Sequence, residues 1–276
     1  MAQYRFFTRK HRSYVLINPG YGVAMEENRE RFKVLKSIYF LNSRMSWTHK
    51  VQGIDISRCF EYTEAYLRLR SIRKGQHILD IGSYRSPFPA FLVQQGYRVS
   101  ALDLDYSVAM QKIWVCKALG HDAHLSIIIA DGTHMPFSTS SFDGVTCISS
   151  IEHLPENGDI WMAREIGRIL RPEGYCFLSV PYMVTPKEGR WGKWFQRWYD
   201  IPSAVARLLK PSGLFLVSYG FLMGGMVGKI VDIWYALPRI VRHSLSWFHI
   251  FLFPMAFDKD GANQRDARVL WMLLQK

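Results

Sequence analysis

Three aspartates in the first half of the chain each follow a short apolar segment: Asp80, Asp103 and Asp131. A carboxylate at the end of a strand can accept hydrogen bonds from the two hydroxyls of a ribose. A second carboxylate can accept from an adenine amino group. Gly82, just after the first segment, lets the backbone approach a ligand closely because it has no side chain. This set of residues therefore indicates a site for an adenosine-type ligand.

The elements that would position these residues alternate between strands and helices. Such alternation is typical of a parallel sheet with helices on both faces, an α/β fold. The predicted strands are 76–81, 98–103, 125–130, 143–149, 174–180, 213–219 and 268–274. The predicted helices between them are 87–95, 106–118, 159–170 and 203–209. A loop rich in Trp and Gly is expected after the fifth strand, with Trp191, Gly192, Trp194 and Trp198.

Two further segments extend this alternating region. Residues 1–75 are predicted to be an N-terminal helical extension, with helical patterns at 26–41 and 57–69, and residues 76–276 the main domain. Tyr62 and Tyr66 on the second pattern are expected to be core residues. A long apolar insert that also carries aromatic and basic residues precedes the last strand, at about residues 220–258.

The order and spacing of these motifs resemble the class I S-adenosylmethionine-dependent methyltransferases. The resemblance covers roughly residues 58–219, including 148–154 (ISSIEHL) and 169–180 (ILRPEGYCFLSV), and is strongest to the small-molecule group with a methyltransferase type 11-like domain. That group includes enzymes of ubiquinone and menaquinone biosynthesis. It implies a doubly wound, seven-stranded, Rossmann-like sheet with a reversed last strand and S-adenosylmethionine across the carboxyl ends of the first strands.

Carried over position by position, the resemblance assigns the cofactor site. Asp80 and Gly82 would border the methionine part, Asp103 the ribose, and Asp131 with Gly132 the adenine. The adjacent residues Ser83 and Leu104 complete the predicted cofactor-binding set. The apolar residues that follow the third strand, Met135, Pro136 and Phe137, are expected to cover the adenine ring.

The glycine-rich loop departs from the family pattern. The family would place glycines at positions 84 and 86, where this chain has Tyr84 and Ser86. A tyrosine at a position that needs positive φ is costly and could narrow the pocket. Two alternatives follow: a loop variant that still binds the cofactor, or a degraded site on a non-catalytic protein.

His153 and Glu152 are the predicted catalytic residues. They lie after the fourth strand, where the family lines the acceptor pocket, and a neutral imidazole suits removal of a hydroxyl proton. The alternative is that His153 only packs or shapes the loop. Some relatives bind magnesium through a Glu-x-x-Glu-His arrangement, but here Ser149 takes the place of the first glutamate. No metal requirement is expected.

Composition and charge bound the class of protein. The chain has 276 residues and is 49% hydrophobic, which suffices for a large core and excludes a disordered or fibrous protein. Its four cysteines are widely spaced, so neither a disulfide framework nor a zinc ribbon is expected, and a cytoplasmic location fits. The net charge of +12 divides into +9 for residues 1–75, −4 for 76–180 and +7 for 181–276. The basic arms suit an anionic partner, or are simply a soluble surface.

The sequence of the insert is compatible with more than one role. Its uncharged runs, 211–228 and 243–257, contain Pro or several Gly, so a transmembrane helix is not expected. A lid over the substrate pocket, a dimer contact, or helices lying on the inner face of a membrane would each suit its composition.

The leading functional hypothesis is methylation of a small or lipid-linked acceptor, at oxygen. The basic N-terminal arm raises RNA methylation as an alternative, but no RNA-binding module is recognisable. A non-catalytic protein that kept the fold is a second alternative. A nicotinamide oxidoreductase is a poor match because the GxGxxG turn is missing.

Overall fold

A computed structural model of the chain describes residues 21–120, 124–192, 194–238, 241–242, 245 and 264–276. Nine strands lie within these ranges: β1 (His77–Ile81), β2 (Arg98–Asp103), β3 (Leu125–Ile129), β4 (Phe142–Ile148), β5 (Leu170–Pro181), β6 (Lys187–Trp191), β7 (Trp194–Trp198), β8 (Phe215–Leu222) and β9 (Val269–Gln275). Seven of them form one sheet in the order β3-β2-β1-β4-β5-β9-β8, and β6 pairs with β7 in a separate hairpin.

The sheet has the predicted α/β topology. Strands β1 to β5 are mutually parallel, whereas β9 runs antiparallel to both β5 and β8. The chain places β2 and β3 on one side of β1, and β4 and β5 on the other. The strand order therefore reverses between β1 and β4, and ligands of open α/β sheets bind beyond the carboxyl ends of the strands at such a point. The seven-stranded doubly wound sheet with a reversed last strand is confirmed.

Helices cover both faces of the sheet. They are α1 (Tyr21–Met45), α2 (Trp47–Gln52), α3 (Ile56–Leu69), α4 (Phe88–Gln94), α5 (Gln111–Leu119), α6 (Gly158–Ile169), α7 (Ile201–Ala204), α8 (Lys210–Ser212) and α9 (Gly225–Ala236). Short 3-10 turns occur at Tyr106–Met110 and Ile151–His153, and a π-helical turn, Val205–Leu209, joins α7 to α8.

The hydrophobic core lies in two layers, one on each face. Helices α1, α3 and α4 supply one layer, in which the side chains of Leu35, Phe60 and Phe91 are almost fully buried. Helix α6 supplies the other, with Met162 and Ile166 against the strands. Helices α1 and α3 share this core with strand residues, so the N-terminal helices pack on the sheet.

Several predicted boundaries differ from the structure. The expected Trp- and Gly-rich loop is the β6–β7 hairpin, since Trp194 to Trp198 pair in antiparallel register with the preceding strand. The helix predicted at 106–118 begins as a 3-10 turn, the one predicted at 203–209 is broken by a π turn, and the strand predicted at 213–219 lies at 215–222. Helix α2, capped by the Ser46 side chain, was not predicted.

The insert before β9 is only partly described. Helix α9 belongs to it, whereas most of residues 239–263 lie outside the described residues, so its predicted role as lid, dimer contact or membrane element stays a prediction. Among the helices that the structure describes, none combines the length and the hydrophobicity needed to cross a bilayer.

Candidate active site

A cavity of about 830 Å³ opens at the carboxyl ends of β1 to β4. It lies at the point where the strand order reverses, and its size falls within the range of about 300–1,000 Å³ that is common for ligand pockets. Eight of the nine sequence-predicted site residues line it: Asp80, Gly82, Ser83, Asp103, Leu104, Asp131, Gly132 and His153. The ninth, Glu152, lies behind the wall of the cavity.

The turn after β1 depends on a glycine. Gly82 has φ +72°, and a Cβ atom at this position would lie 1.9 Å from Ser150 Oγ. Its backbone N–H donates to the Leu102 carbonyl at 2.9 Å, which ties the turn to β2. The glycine thus allows the loop after β4 to pack directly against the turn after β1.

Tyr84 adopts a positive φ at the position where the family pattern has a glycine. Its φ is +33°, in the left-handed region, and the residue is 47% exposed and lines the cavity without plugging it. Its backbone N–H donates to Asp103 Oδ2 at 2.9 Å. The backbone N–H of Asp105 donates to Asp103 Oδ1, also at 2.9 Å. Two backbone donors therefore fix the Asp103 carboxylate while leaving each oxygen a further lone pair for a ligand.

Asp131 is held in a similar way at the end of β3. Its Oδ1 accepts hydrogen bonds from the backbone N–H and the hydroxyl of Thr133, both at 2.8 Å. Next to it, a Cβ on Gly132 would lie 2.3 Å from Met162 Cε. Met162 lines the cavity. This side of the pocket therefore combines a carboxylate with an apolar floor.

The residues expected to cover the adenine lie elsewhere. Met135 is buried in the core, its backbone N–H donates to Glu165 at 2.7 Å, and the Phe137 ring packs against Phe142. Neither lines the cavity as the structure describes it. The apolar lining beside Asp131 comes from Met162 and Leu104 instead.

Asp80 lies deeper than the other two aspartates. It pairs in register with Thr146 on β4, whose hydroxyl donates to Asp80 Oδ1 at 2.6 Å. Burial raises the pKa of Asp80 to about 6 and outweighs the opposing effect of the Thr146 hydrogen bond. Near neutral pH this carboxyl is therefore mostly ionised, and a cationic ligand group beside it would favour that form.

His153 lines the cavity and has a defined tautomer. Its Nδ1 lies 2.8 Å from the carbonyl oxygen of Phe195 on β7. Because a carbonyl only accepts, Nδ1 carries the proton and Nε2 is left with a lone pair. Burial lowers the pKa of His153 below its ordinary value of 6.5. The imidazole is therefore neutral at pH 7 and can accept a proton at Nε2.

Glu152 is buried, with 1% of its surface exposed, and burial raises the pKa of its carboxyl to about 8. Its Oε1 lies 3.8 Å from His153 Nε2, beyond hydrogen-bond distance, and its Oε2 has no hydrogen-bond partner among the described residues. In this position Glu152 can influence the charge of His153, but it does not contact the cavity.

Arg58 of α3 lines the cavity, although no sequence pattern predicts it there. Its guanidinium donates to Glu61 Oε2 at 2.6 Å and to the Ser149 carbonyl at 3.1 Å. Glu61 is fully buried and also accepts from the hydroxyls of Ser149 and Ser179. This network joins α3 to the ends of β4 and β5. The helical pattern of α3 gives no sign that Arg58 faces a ligand pocket.

Tyr62 and Trp194 also line the cavity. Tyr62 was predicted to be a core residue, and its ring does stack on Phe88, but its hydroxyl also accepts a hydrogen bond from Ser86 at 2.9 Å at the pocket. Trp194 was expected in a loop. Only the pairing of β6 with β7 brings it to the cavity, and no local sequence signal marks that pairing.

Comparison with known families supports what this geometry indicates. Residues 79–178, which run from β1 to β5, match the sequence model of a family described as methyltransferase domain. Residues 79–178 thus resemble a methyltransferase domain, within a sheet that has the fold of solved class I methyltransferases. The matched residues include every predicted cofactor-binding residue and both predicted catalytic residues.

Curated relatives of this domain include methyltransferases for different atoms. The chain is 29% identical over 118 residues to methyltransferase GfsG of Streptomyces halstedii, covering 41% of this chain and 40% of the relative. It is 23% identical over 198 residues to phosphoethanolamine N-methyltransferase 1 of Arabidopsis thaliana, covering 69% and 40%. It is 28% identical over 118 residues to a ubiquinone biosynthesis O-methyltransferase of Xanthomonas oryzae pv. oryzae, covering 42% and 47%. The matches thus span less than half the length of each relative.

Solved structures share the fold of the methyltransferase domain. The [4+2]-cyclase SpnF superposes with a TM-score of 0.57 at 14% identity, covering 78% of this chain and 79% of that one. The 1,6-didemethyltoxoflavin-N1-methyltransferase of Burkholderia thailandensis, solved with bound S-adenosylhomocysteine, gives 0.55 at 16% identity, covering 89% and 88%. At these identities the similarity describes the fold, which by itself does not fix the reaction.

Proposed function

We propose that this protein transfers the methyl group of S-adenosylmethionine to a hydroxyl oxygen of a small or lipid-linked acceptor. The observation that carries the proposal is the neutral His153 imidazole, oriented by the Phe195 carbonyl, in the same cavity as three strand-end aspartates. The aspartates supply a nucleoside site, and the imidazole supplies a base for an acceptor that holds a proton.

The residues present fit this cofactor. Gly82 and Gly132 both line the cavity, and a Cβ at either position would meet another wall residue, Ser150 or Met162. Asp103, held by two backbone N–H groups, is assigned to the ribose hydroxyls, and Asp131 to the adenine amino group. Asp80, Ser83 and Leu104 would complete the site. When bound, S-adenosylmethionine supplies an electrophilic methyl group on a positively charged sulfur.

The charges around the cavity favour a cationic cofactor. Its lining contains five aspartates and two arginines: Asp55, Asp80, Asp103, Asp105, Asp131, Arg58 and Arg85. The acidic excess attracts a positively charged sulfonium, and walls of low dielectric strengthen that attraction. The cavity thus differs in sign from the chain as a whole, whose net charge is +12.

The protein's own contribution to transfer is placement and proton removal. An in-line displacement is accelerated mainly by holding the acceptor atom near the methyl group in a pocket that excludes water. His153 Nε2 accepts the hydroxyl proton as the oxygen attacks, and the Phe195 carbonyl keeps the ring in the required tautomer. The imidazolium formed lies 3.8 Å from Glu152 Oε1, where attraction favours the ionised carboxylate.

A variant of the proposed base tests this function. We expect His153→Gln to lower the rate of transfer from isotopically labelled S-adenosylmethionine to a hydroxyl acceptor by about 10²–10⁴-fold. Cofactor affinity should stay within about 2-fold, because the amide removes only the base. The kcat/KM of the wild type should have its full value at neutral pH. It should fall as the pH drops through the pKa of His153, which burial lowers below 6.5. Full activity of His153→Gln, or no acid limb, would rule out the base role.

A further inference from the structure

One side of helix α1 is basic along most of its length. The exposed side chains described for this helix recur at spacings of three and four residues and so share one side, the α1 stripe: Arg29, Lys33, Lys36, Phe40 and Arg44. Buried residues such as Leu35 and Ile38 lie on the opposite side. Lys33 pairs with Glu30 at 2.7 Å. The stripe extends for about 22 Å along the helix, long enough to lie along an anionic surface.

Large apolar side chains are exposed next to the α1 stripe. Trp47, the first residue of α2, is 74% exposed. Within the stripe, the guanidinium of Arg44 lies 5.2 Å from the centre of the Phe40 ring. Helix α5 packs against α1 and exposes Ile113, at 59%, together with Lys117. Cations therefore alternate here with exposed aromatic and aliphatic side chains.

These residues lie on one side of the molecule. Leu35 of α1 and Val115 of α5 are buried in the same core layer. Because each helix turns its buried side toward this shared core, the exposed sides of both helices face away from it. Helix α2 packs on α5, since the rings of His49 and Trp114 lie 4.7 Å apart. We use the name basic–apolar face for the α1 stripe with Trp47, Ile113 and Lys117.

The apolar members of this face favour a lipid bilayer over a nucleic acid. Arginine and lysine bind the phosphates of either partner. Tryptophan is enriched at the boundary between headgroups and acyl chains. An aliphatic side chain such as that of Ile113 gains from contact with lipid, but not from contact with a phosphate backbone. The face thus matches the surface of an anionic bilayer in both charge and hydrophobicity.

We propose that the basic–apolar face docks on an anionic lipid bilayer. The cations of the α1 stripe contact the phosphate headgroups, and Trp47 and Ile113 enter the boundary with the acyl chains. Asn42 and His49, on either side of Trp47 in the chain, line the cavity, so the docked face borders the candidate active site. The docking itself does not depend on methyl transfer.

Co-sedimentation with lipid vesicles tests the docking directly. The full chain, without cofactor or acceptor, is mixed at about 0.1 M salt with vesicles of phosphatidylcholine alone or of phosphatidylcholine with phosphatidylglycerol. We expect binding to the anionic vesicles to be at least about 10-fold tighter, and this preference to be lost at about 1 M salt, where charges are screened within about 3 Å. No binding to the anionic vesicles, or equal binding to both kinds at the lower salt, would overturn the proposal.

Charge variants test whether α1 is the docking element. Lys36→Gln combined with Arg44→Gln should weaken binding to the anionic vesicles at least about 10-fold. Arg73→Gln combined with Lys74→Gln removes the same charge from the exposed turn before β1, at the end of the strand away from the cavity, and should weaken binding less than about 3-fold. Equal losses in the two double variants would show attraction by net charge alone and would overturn the assignment to α1.

Tryptophan variants test the apolar contact. Trp47→Ser should weaken binding to the same vesicles at least about 5-fold. Trp161→Ser, at an exposed position of α6 on the other side of the sheet, is the matched control and should leave binding unchanged. Equal effects of the two substitutions would remove Trp47 from the docking face. Binding of a single-stranded RNA at the same salt, together with no binding to the anionic vesicles, would assign the face to nucleic acid instead and overturn the proposal.

Discussion

At the scale of the residue, the carboxylates are the part of the site that the sequence predicts. Asp80, Asp103 and Asp131 could be predicted because strand-end acidic residues leave a pattern in the sequence. The structure brings all three to one cavity. Arg58 and Trp194 could not be predicted, since a surface arginine on a helix and a tryptophan after a strand have no spacing that points to a ligand. Their position depends on long-range packing.

Tyr84 shows how a residue can break a motif while the backbone keeps its path. It accepts the positive φ that a glycine would take freely, and its N–H still reaches Asp103. The loop variant therefore still holds the Asp103 carboxylate in place. The sequence could predict the strain at this position, but not that Tyr84 would line the cavity while leaving it open.

Two substitutions at position 84 are expected to differ in their effect on stability. Tyr84→Gly should leave the free energy of unfolding within about 1 kcal/mol of wild type, since relief of positive φ offsets the extra freedom of the unfolded glycine. Tyr84→Val should be less stable than Tyr84→Gly by about 1–3 kcal/mol, because a β-branched side chain tolerates positive φ poorly. Urea unfolding measures both, and equal stability of the two variants would contradict the backbone assignment.

At the scale of the element, regular periodicity predicted most strands and helices, and its main failure is the β6–β7 hairpin. The Trp and Gly content of the β6–β7 hairpin resembles that of turns, so the sequence predicts a loop there. The contacts that form the hairpin are with distant parts of the chain. Arg197 shows this: its partners, Asp159, Leu154 and Glu156, belong to α6 and to the segment before it. Such pairings leave no local signal.

Arg197 is expected to be the residue that fixes this hairpin. Arg197→Met should lower the free energy of unfolding by about 3 kcal/mol, since it leaves buried backbone carbonyls and part of the Asp159 charge without a donor. Arg190→Met, at an exposed position on the other strand, should change it by less than about 0.5 kcal/mol. Chemical denaturation of both variants checks this, and equal effects would show that the hairpin is held by other contacts.

At the scale of the whole molecule, the site imposes a cost on stability that varies with pH. The folded protein keeps the Glu152 proton up to a pKa of about 8, whereas the unfolded chain loses it near 4.5. Between these values the folded state binds more protons than the unfolded state. The free energy of unfolding therefore falls as pH rises through this window, and below 4.5 the group has no effect.

Glu152→Gln should remove this dependence. The amide has nearly the same shape and cannot ionise, so the variant should match the wild type near pH 4 and exceed its free energy of unfolding by more than about 1 kcal/mol at pH 8. Glu156→Gln, at an exposed glutamate nearby, should follow the wild-type curve. Denaturation across this pH range decides, and a constant difference between Glu152→Gln and wild type would contradict the buried, protonated carboxyl.

The ends of β1, β2 and β3 are proposed to form one site for S-adenosylmethionine. Isothermal titration calorimetry measures this binding, with the wild type, Asp103→Asn, and Asp232→Asn as a control at the exposed ion pair between Asp232 of α9 and Arg268. We expect one equivalent to bind to the wild type and to the control, and at least about 10-fold weaker affinity for Asp103→Asn, as for the loss of a hydrogen bond to a charged group. No binding by the wild type, or equal affinity in all three proteins, would contradict it.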